Sequence, residues 1–193
     1  DFSSGVDLSD LNGDPNEKPP FEVMMDELML LDKPLLAAAK GVAIGFGATA
    51  LFHCDVVYVG ESLRMRLPFV NLGLVPEAGC SYTLPRNIGY QQAAELLFTA
   101  EWINAERAVE PGIARRAFSD DELLPKTLEK AAEMEQWPRN ALRETKRTLM
   151  QAHSTAINQA RELEMAGMMR QVGSAENIEA VTAFFEKRAP RFD

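Results

Sequence analysis

Three segments of the chain carry residue types that could do chemistry on a small ligand. Residues 41–47 form a glycine-rich turn ahead of an apolar stretch typical of a buried helix. Glycine permits close approach of a ligand to the backbone, and free N–H groups at a helix start can hold a developing negative charge. The other two segments are a small-residue turn at residues 2–8 and a proline-led turn at residues 76–80.

The proline-led turn contributes the carboxylate best suited to proton transfer. Glu77 has apolar residues for sequence neighbours, namely Leu72, Leu74, Val75 and Ala78. A carboxyl group in apolar surroundings has a raised pKa, which suits general acid–base work near neutral pH. The predicted role of Glu77 is therefore that of a proton carrier.

Each of these signals also has a plainer interpretation. A glycine-rich turn often serves packing alone, and a single glutamate in a loop is usually solvated. Gly41, Gly45 and Gly47 do not have the spacing of a dinucleotide-binding loop, and no phosphate-loop Lys-Ser/Thr follows them. Cys80 is a weak candidate nucleophile, because no histidine stands near it in sequence to form its thiolate.

The elements expected to position these segments change character along the chain. Short apolar strands at residues 35–39, 56–59 and 63–67 alternate with helical or turn segments. From residue 90 onward the pattern is helical, with amphipathic helices predicted at 120–135, 140–150, 155–169 and 175–187. Strands that alternate with helices, followed by helices alone, predict an α/β layer with a helical C-terminal unit.

Composition restricts the classes of partner. The formal net charge of −9 argues against nucleic acid, whose binding needs many Lys and Arg contacts to phosphate. No apolar run approaches the roughly 20 residues that span a bilayer, so we expect a soluble, cytoplasmic protein without membrane contact. Cys54 and Cys80 lack metal-ligand spacing and are expected to be reduced thiols, so no metal is predicted.

Several motifs, in order, resemble the crotonase superfamily of enoyl-CoA hydratases and isomerases. They are KPLLAAAKGVAIGFG at residues 33–47, CD at 54–55, NLGLVP at 71–76, LPR at 84–86 with IG at 88–89, and FEKRAPRF at 185–192. The resemblance runs from residue 2 to the C-terminus. The strands and helix that the family carries before this point are absent, and we therefore expect the chain to be incomplete at its N-terminus.

The resemblance implies a fold and an assembly. The fold is an α/β superhelix of stacked ββα turns, with a crotonase-like core at residues 1–120 and a helical unit at residues 121–193 that serves oligomerisation and CoA contacts. The assembly is a homotrimer or a dimer of trimers. The ligand is an acyl-CoA thioester, with CoA as part of the substrate and no separate cofactor.

The resemblance also implies a set of site residues. The backbone N–H groups of Val6 and Phe46 would form an oxyanion hole for the thioester oxygen. Residues 4–8 would lie along the CoA moiety, and Lys187 would reach the CoA phosphates of a neighbouring subunit. The implied substrate-binding residues are Ser4, Gly5, Val6, Asp7, Leu8, Phe46, Gly47 and Lys187.

The active-site carboxylates distinguish the members of the superfamily. Thr49 and Phe69 occupy the positions of the two hydratase glutamates, and neither can act as an acid or a base. Glu77 instead lies in PEAGCSY, which resembles the delta-3,delta-2-enoyl-CoA isomerases of the peroxisomal type. We therefore expect an enoyl-CoA isomerase of fatty-acid β-oxidation, peroxisomal if the source is eukaryotic. The alternatives are hydration or another crotonase-type reaction, and a non-catalytic acyl-CoA-binding subunit.

Overall fold

The computed structural model describes residues 1–5 and 19–192 and places six short strands in the first 118 residues. In chain order they are β1 (Leu36–Ala39), β2 (Val42–Ile44), β3 (Val56–Gly60), β4 (Arg64–Arg66), β5 (Ile103–Asn104) and β6 (Arg116–Phe118). β-Branched and small apolar residues dominate the longest strands, which suits a buried pleated surface. The strands alternate between two separate sheets: β1 and β3 belong to one, and β2 and β4 to the other.

The two sheets grow by addition of one strand per turn of the chain. The first sheet has the order β1-β3-β6, with both pairs parallel and Leu36 opposite Val56. The second has the order β2-β4-β5, with β2 parallel to β4 and β5 antiparallel to it. Ser3 extends this second sheet through a parallel bridge to Ala43. This stack is the ββα superhelix that the sequence predicts.

Eight α-helices cover and extend the sheets in the described part of the chain. They are α1 (Pro20–Leu30), α2 (Phe46–Thr49), α3 (Cys80–Ile88), α4 (Tyr90–Thr99), α5 (Ala105–Val109), α6 (Asp120–Glu135), α7 (Arg139–Gln171) and α8 (Ala175–Phe185). Single 3₁₀ turns lie at Ala50–His53 and Val70–Leu72. The α/β class with a helical C-terminal unit is thus confirmed.

The core lies between the two sheets and the helices that follow them. β1 buries Ala37 and Ala39, and β3 buries Val57 and Val59 on the same side. Helix α6 packs on all three strands of the first sheet, so the C-terminal helices begin in direct contact with the strand layer. The proposed division at residues 120 and 121 stays a prediction.

Several elements differ from the sequence-based expectation. Helix α3 was not predicted, because Pro85 in its interior and Gly79 before it are signals of a turn. Strand β6 has only three residues and gives no periodic signal. The helices predicted at 140–150 and 155–169 are one 33-residue helix, since no Gly or Pro interrupts the chain between them.

None of the helices in the described residues is both long enough and apolar enough to cross a membrane. Helix α7 is the longest of them, but it is too polar.

Candidate active site

At the junction of β2 and α2, the glycine-rich turn leaves the backbone N–H of Phe46 without a partner among the described residues. Gly45 adopts φ 54° and ψ −121°, a conformation that L side chains rarely reach, and its carbonyl accepts from the N–H groups of Ala48 and Thr49. Phe46 begins the helix, so its N–H has no intrahelical acceptor. Among the described residues it has no hydrogen-bond acceptor at all. The Phe46 amide is thus a free donor, as the resemblance implies.

Ser3 is held directly against this turn. Its N–H donates to the Val42 carbonyl over 2.9 Å, and its carbonyl accepts from the Ile44 N–H over 3.0 Å. A Cβ on Gly47 would lie 2.6 Å from the Ser3 carbonyl oxygen, so only glycine fits there. Gly47 therefore brings the N-terminal segment and the helix start together, which is a packing role.

The end of the described N-terminal segment approaches the free amide. A Cβ placed on Gly5 would lie 3.7 Å from the Phe46 nitrogen and 2.7 Å from the Ile44 carbonyl oxygen. Gly5 has φ 87°, and Ser4 beside it is exposed. Val6, Asp7 and Leu8 lie outside the described residues. The proposed second amide of the oxyanion hole and the CoA contacts of residues 6–8 remain predictions.

Glu77 lies in the turn before α3, and its carboxylate is partly buried. Within residues 1–5 and 19–192 this carboxylate has no hydrogen-bond or ion-pair partner, and its backbone carbonyl accepts from the Cys80 N–H over 3.0 Å. Burial raises the pKa of Glu77 from 4.5 to about 7, and the nearby Glu164 carboxylate adds to the rise in pKa. The expected raised pKa of Glu77 is confirmed.

The surroundings that bury Glu77 come mainly from distant parts of the chain. A cavity of about 90 Å³ lies beside it, between α1, α7 and the turn. Its lining consists of Phe21, Glu22, Pro76, Glu77, Ala78, Arg161, Glu164, Met165 and Met168. Of the four apolar neighbours expected from sequence, only Ala78 lines this cavity. Long-range packing therefore supplies most of the apolar contact.

Phe21 connects the cavity to the free amide. Its ring lies edge-on to the ring of Phe46, with centroids 5.3 Å apart and an interplanar angle of 81°. The same residue lines the cavity beside Glu77. Phe21 thus contacts the side chain of the residue that carries the free amide and also lines the cavity beside Glu77.

Two residues not assigned from sequence to the site hold the turn that carries Glu77. His53 bonds to the Ala78 carbonyl through Nε2 over 2.7 Å, and burial lowers the pKa of this histidine. Glu164 accepts from the N–H groups of Gly79 and Ser81, each over 2.7 Å. A core histidine was expected at position 53. The signal for Glu164 was a charged residue on the buried face of an amphipathic helix.

The positions of the two hydratase glutamates hold no carboxylate. Thr49 is fully buried, and its hydroxyl lies 3.4 Å from the Phe46 carbonyl, to which it donates. Phe69 is buried in the core. Neither side chain can transfer a proton in this environment. Glu77 remains the carboxylate suited to proton transfer at this site.

Other candidate residues have structural partners. Cys80 is completely buried and burial raises the pKa of its thiol, so the thiolate needed by a nucleophile is disfavoured. Arg64 and Arg66 stack over the Trp102 ring, and Arg66 donates to the Ala100 carbonyl over 2.6 Å. In the described residues no cluster of three or more His, Cys, Asp or Glu side chains is arranged to hold a metal ion.

Lys187 is far in sequence from the residues described above. It follows the end of α8, is exposed, and has φ 55°. Its side chain has no ion-pair partner in the part of the chain that the structure describes. An exposed, unpaired cation is compatible with the expected contact to a neighbouring subunit, and that contact stays a prediction.

Comparison with known proteins agrees with this architecture. The enoyl-CoA hydratase/isomerase of Pseudoalteromonas atlantica T6c superposes with a TM-score of 0.94 at 35% identity, covering all of this chain and 77% of that one. The 2,3-dehydroadipyl-CoA hydratase of Escherichia coli is 31% identical over 99% of this chain and 76% of its own length. The 1,2-epoxyphenylacetyl-CoA isomerase of the same organism is 30% identical over the same shares.

The stacked strands and the C-terminal helices define an α/β protein with the crotonase-like architecture. The family model for enoyl-CoA hydratase/isomerase matches residues 1–193, and the chain belongs to that family. A crotonase-type reaction on an acyl-CoA thioester follows from this membership. The chain spans about three quarters of the length of these relatives.

Proposed function

We propose that the protein is an enoyl-CoA isomerase that moves a double bond from C3 to C2 of an acyl-CoA thioester. The observation that carries the proposal is the carboxylate of Glu77, which has no hydrogen-bond or ion-pair partner among the described residues and lies beside a cavity with its pKa raised to about 7. The positions of both hydratase glutamates are occupied by Thr49 and Phe69. One carboxylate is sufficient for a proton shuttle, whereas hydration benefits from two.

The reaction moves one proton and leaves the substrate's atoms otherwise unchanged. The ionised Glu77 removes a proton from C2 of a 3-enoyl thioester, and the electron pair moves onto the thioester oxygen to give a dienolate. The protonated Glu77 then returns the proton to C4, which leaves the double bond between C2 and C3. A pKa near 7 suits both halves of this exchange, because the group must accept and release the proton with similar ease.

The dienolate needs hydrogen-bond donors fixed in advance. The Phe46 amide is one such donor, free at the start of α2. Val6 is the proposed second donor. Donors of this type stabilise charge that develops in the transition state, and loss of one lowers the rate by about 100- to 1000-fold.

Hydration remains the second candidate, because 2,3-dehydroadipyl-CoA hydratase is among the similar proteins. Two other carboxylates line the cavity, that of Glu22, which pairs with Arg161, and that of Glu164. However, both oxygens of Glu164 accept backbone N–H groups, from Gly79 and Ser81. This carboxylate is thus poorly placed to orient and deprotonate a water molecule, which favours isomerisation.

The proposed assembly is a homotrimer or a dimer of trimers, with Lys187 directed to the CoA phosphates of a neighbouring subunit. The exposed position of this lysine beyond α8 supports the idea. The product, a 2-enoyl-CoA, is the type of thioester that a hydratase of fatty-acid β-oxidation consumes. We therefore propose a role in the breakdown of unsaturated acyl chains.

Turnover of two hexenoyl thioesters tests the proposal. We expect wild type to convert 3-hexenoyl-CoA to the conjugated 2-hexenoyl-CoA, and Glu77→Gln to lose this activity by about 1000-fold or more, since the base is removed. Glu162→Gln, at an exposed position of α7, is the matched control and should keep wild-type activity. Formation of 3-hydroxyhexanoyl-CoA from 2-hexenoyl-CoA would instead identify a hydratase, and binding without turnover would identify a binding subunit.

A further inference from the structure

Glu164 is one of two charged side chains that the described residues bury almost completely, the other being Lys146. Lys146 pairs with Asp55. The hydrogen bonds of Glu164 go instead to two backbone amides, those of Gly79 and Ser81, at 2.7 Å each. A carboxylate buried in this way must have a structural or functional reason, because its desolvation is costly.

The two amides belong to a strained turn. Ala78 has φ 62° and Gly79 has φ 72°, so two consecutive residues adopt the left-handed conformation directly after Glu77. Such a conformation is costly for alanine and persists only where the surroundings enforce it. The turn then leads into α3, whose N-cap residue Gly79 has no side chain to satisfy the first N–H groups.

Glu164 supplies the missing cap from another helix. Its two oxygens replace the side-chain cap that a Ser or Asp at position 79 would provide, and its negative charge faces the positive end of α3. His53 supports the same turn from the opposite direction, through the carbonyl of Ala78. The position of Glu77 thus depends on contacts made by the next two residues.

We propose that Glu164 is a positioning residue for Glu77: it caps α3 from α7, fixes the strained turn after Glu77, and keeps a like charge beside the Glu77 carboxyl group. The inference rests on the proposed function, in which Glu77 is the proton carrier. It assigns to the C-terminal helical unit a part in the chemistry, in addition to assembly.

The charge of Glu164 acts within a defined group of neighbours. The charged residues that line the cavity with Glu77 are Glu22 on α1 and both Arg161 and Glu164 on α7. The guanidinium of Arg161 pairs with Glu22 and with Asp26, so its charge is shared by carboxylates of α1. His53, the titratable group behind the turn, has a lowered pKa and is neutral near pH 7.

Among these groups, Glu164 is the one whose charge raises the pKa of Glu77, after the larger effect of burial. Burial also raises the pKa of Glu164 itself, while its bonds to Ser81 and Gly79 and the charge of Arg161 oppose that rise. The two amides and the arginine therefore stabilise the ionised form of Glu164. Replacement by glutamine removes the charge and nearly preserves the volume.

The experiment compares Glu164→Gln, Glu164→Ala and the exposed control Glu162→Gln. We expect kcat for 3-hexenoyl-CoA to fall by about 10- to 100-fold in Glu164→Gln, since a displaced base lowers the rate steeply, with KM changed less than about threefold. The acidic limb of the kcat profile, near pH 7 in wild type, should move to lower pH because a like charge is removed. Glu162→Gln should match wild type in all three quantities.

Direct titration of Glu77 separates this inference from the proposed function. The carboxyl carbon of Glu77, assigned by its loss in Glu77→Gln, is followed by ¹³C NMR in wild type and in Glu164→Gln. A lower midpoint in Glu164→Gln supports the inference even if wild type shows no isomerase activity, an outcome that would reject only the proposed function.

A purely structural role would give a different result. If Glu164→Gln lowers the thermal midpoint while kcat, its pH profile and the Glu77 titration stay those of wild type, Glu164 is only a cap and the inference is wrong. Unchanged values throughout would reject it as well. Should Glu164→Ala fail to fold, the glutamine variant decides the question alone.

Discussion

At the scale of single residues, environment determines what each carboxylate can do. Glu77 and Glu164 both line the cavity, yet one has no hydrogen-bond partner in the described chain and the other has two backbone amides. Burial raises the pKa of both carboxyl groups, but the amides oppose that rise at Glu164, whereas the neighbouring charge adds to it at Glu77. In the proposed mechanism, these two identical side chains serve as anchor and as proton carrier.

The raised pKa of Glu77 predicts a cost to stability that depends on pH. Protonation of Glu77 is more favourable in the folded state, so its stabilising contribution is full below pH 4.5 and is lost as pH rises through about 7. A rise from 4.5 to about 7 corresponds to at most about 3 kcal/mol. Glu77→Gln does not titrate, so we expect it to exceed wild type in free energy of unfolding by up to that amount at pH 8.

Urea denaturation at pH 5 and pH 8 checks this expectation. The gain in Glu77→Gln should be large at pH 8 and small at pH 5, and Glu162→Gln should show no such dependence. An equal difference between Glu77→Gln and wild type at both pH values would show that the carboxyl group of Glu77 titrates normally.

At the scale of elements, the site depends on close contact between the N-terminal segment and the start of α2. Ser3 pairs with β2, and the absence of a side chain at Gly47 lets the Ser3 backbone pass next to the helix. The free amide of Phe46 belongs to the first residue of α2, directly before Gly47 in the chain. A small change at this contact should therefore affect both packing and the oxyanion donor.

Gly47→Ala tests the contact. The new Cβ would lie 2.6 Å from the Ser3 carbonyl oxygen and 2.7 Å from its Cβ, so the segments must separate. We expect a loss of about 1 to 3 kcal/mol in the free energy of unfolding, typical of overpacking, together with a fall in kcat. Chemical denaturation and the 3-hexenoyl-CoA assay measure the two effects.

Gly167→Ala is the control for this substitution. It also adds a methyl group to a buried helical glycine. The nearest atom to the new Cβ is a side-chain methyl of Val75 at 3.1 Å, and a side chain can shift more easily than the backbone. A stability loss in Gly47→Ala no larger than in Gly167→Ala would contradict the proposed close approach of Ser3.

At the scale of the whole molecule, one buried ion pair connects the C-terminal helices to the sheet layer. Lys146 on α7 is 4% exposed and contacts both oxygens of Asp55, at 2.6 and 2.7 Å. Asp55 precedes β3 and also accepts the Leu35 N–H, which precedes β1. Helix α7 carries Glu164 and the cavity methionines, so this pair helps to place the helix that completes the site.

Lys146→Met should destabilise the protein by about 1 to 3 kcal/mol, because Asp55, whose side chain is 25% exposed, loses its counter-ion and two charge-assisted hydrogen bonds. The double variant Asp55→Asn/Lys146→Met should recover part of the loss, as the uncompensated charge is then removed. Lys126→Met breaks an exposed pair with Glu129 and should be indistinguishable from wild type in denaturation. If the loss of stability in the double variant equals the sum of the losses in Lys146→Met and Asp55→Asn, the two residues are not directly coupled.

The sequence by itself determined the superfamily, the α/β class, the glycine-rich turn at Phe46 and the candidate base Glu77. These features depend on local chemistry: glycine allows the turn at Gly45, proline precedes the base, and the order of motifs is read directly along the chain. Asn104 is a further local feature, since its side chain accepts the Arg107 N–H at the start of α5.

Only the tertiary structure decided what surrounds the base. Phe21 and Glu164 are 56 and 87 positions from Glu77, and nothing in the local pattern shows that α1 and α7 meet there. Likewise α3 forms despite Pro85, and Glu164 of a distant helix accepts N–H groups at its start. The pKa of Glu77 follows from burial by these long-range contacts, and burial is a property of the folded chain.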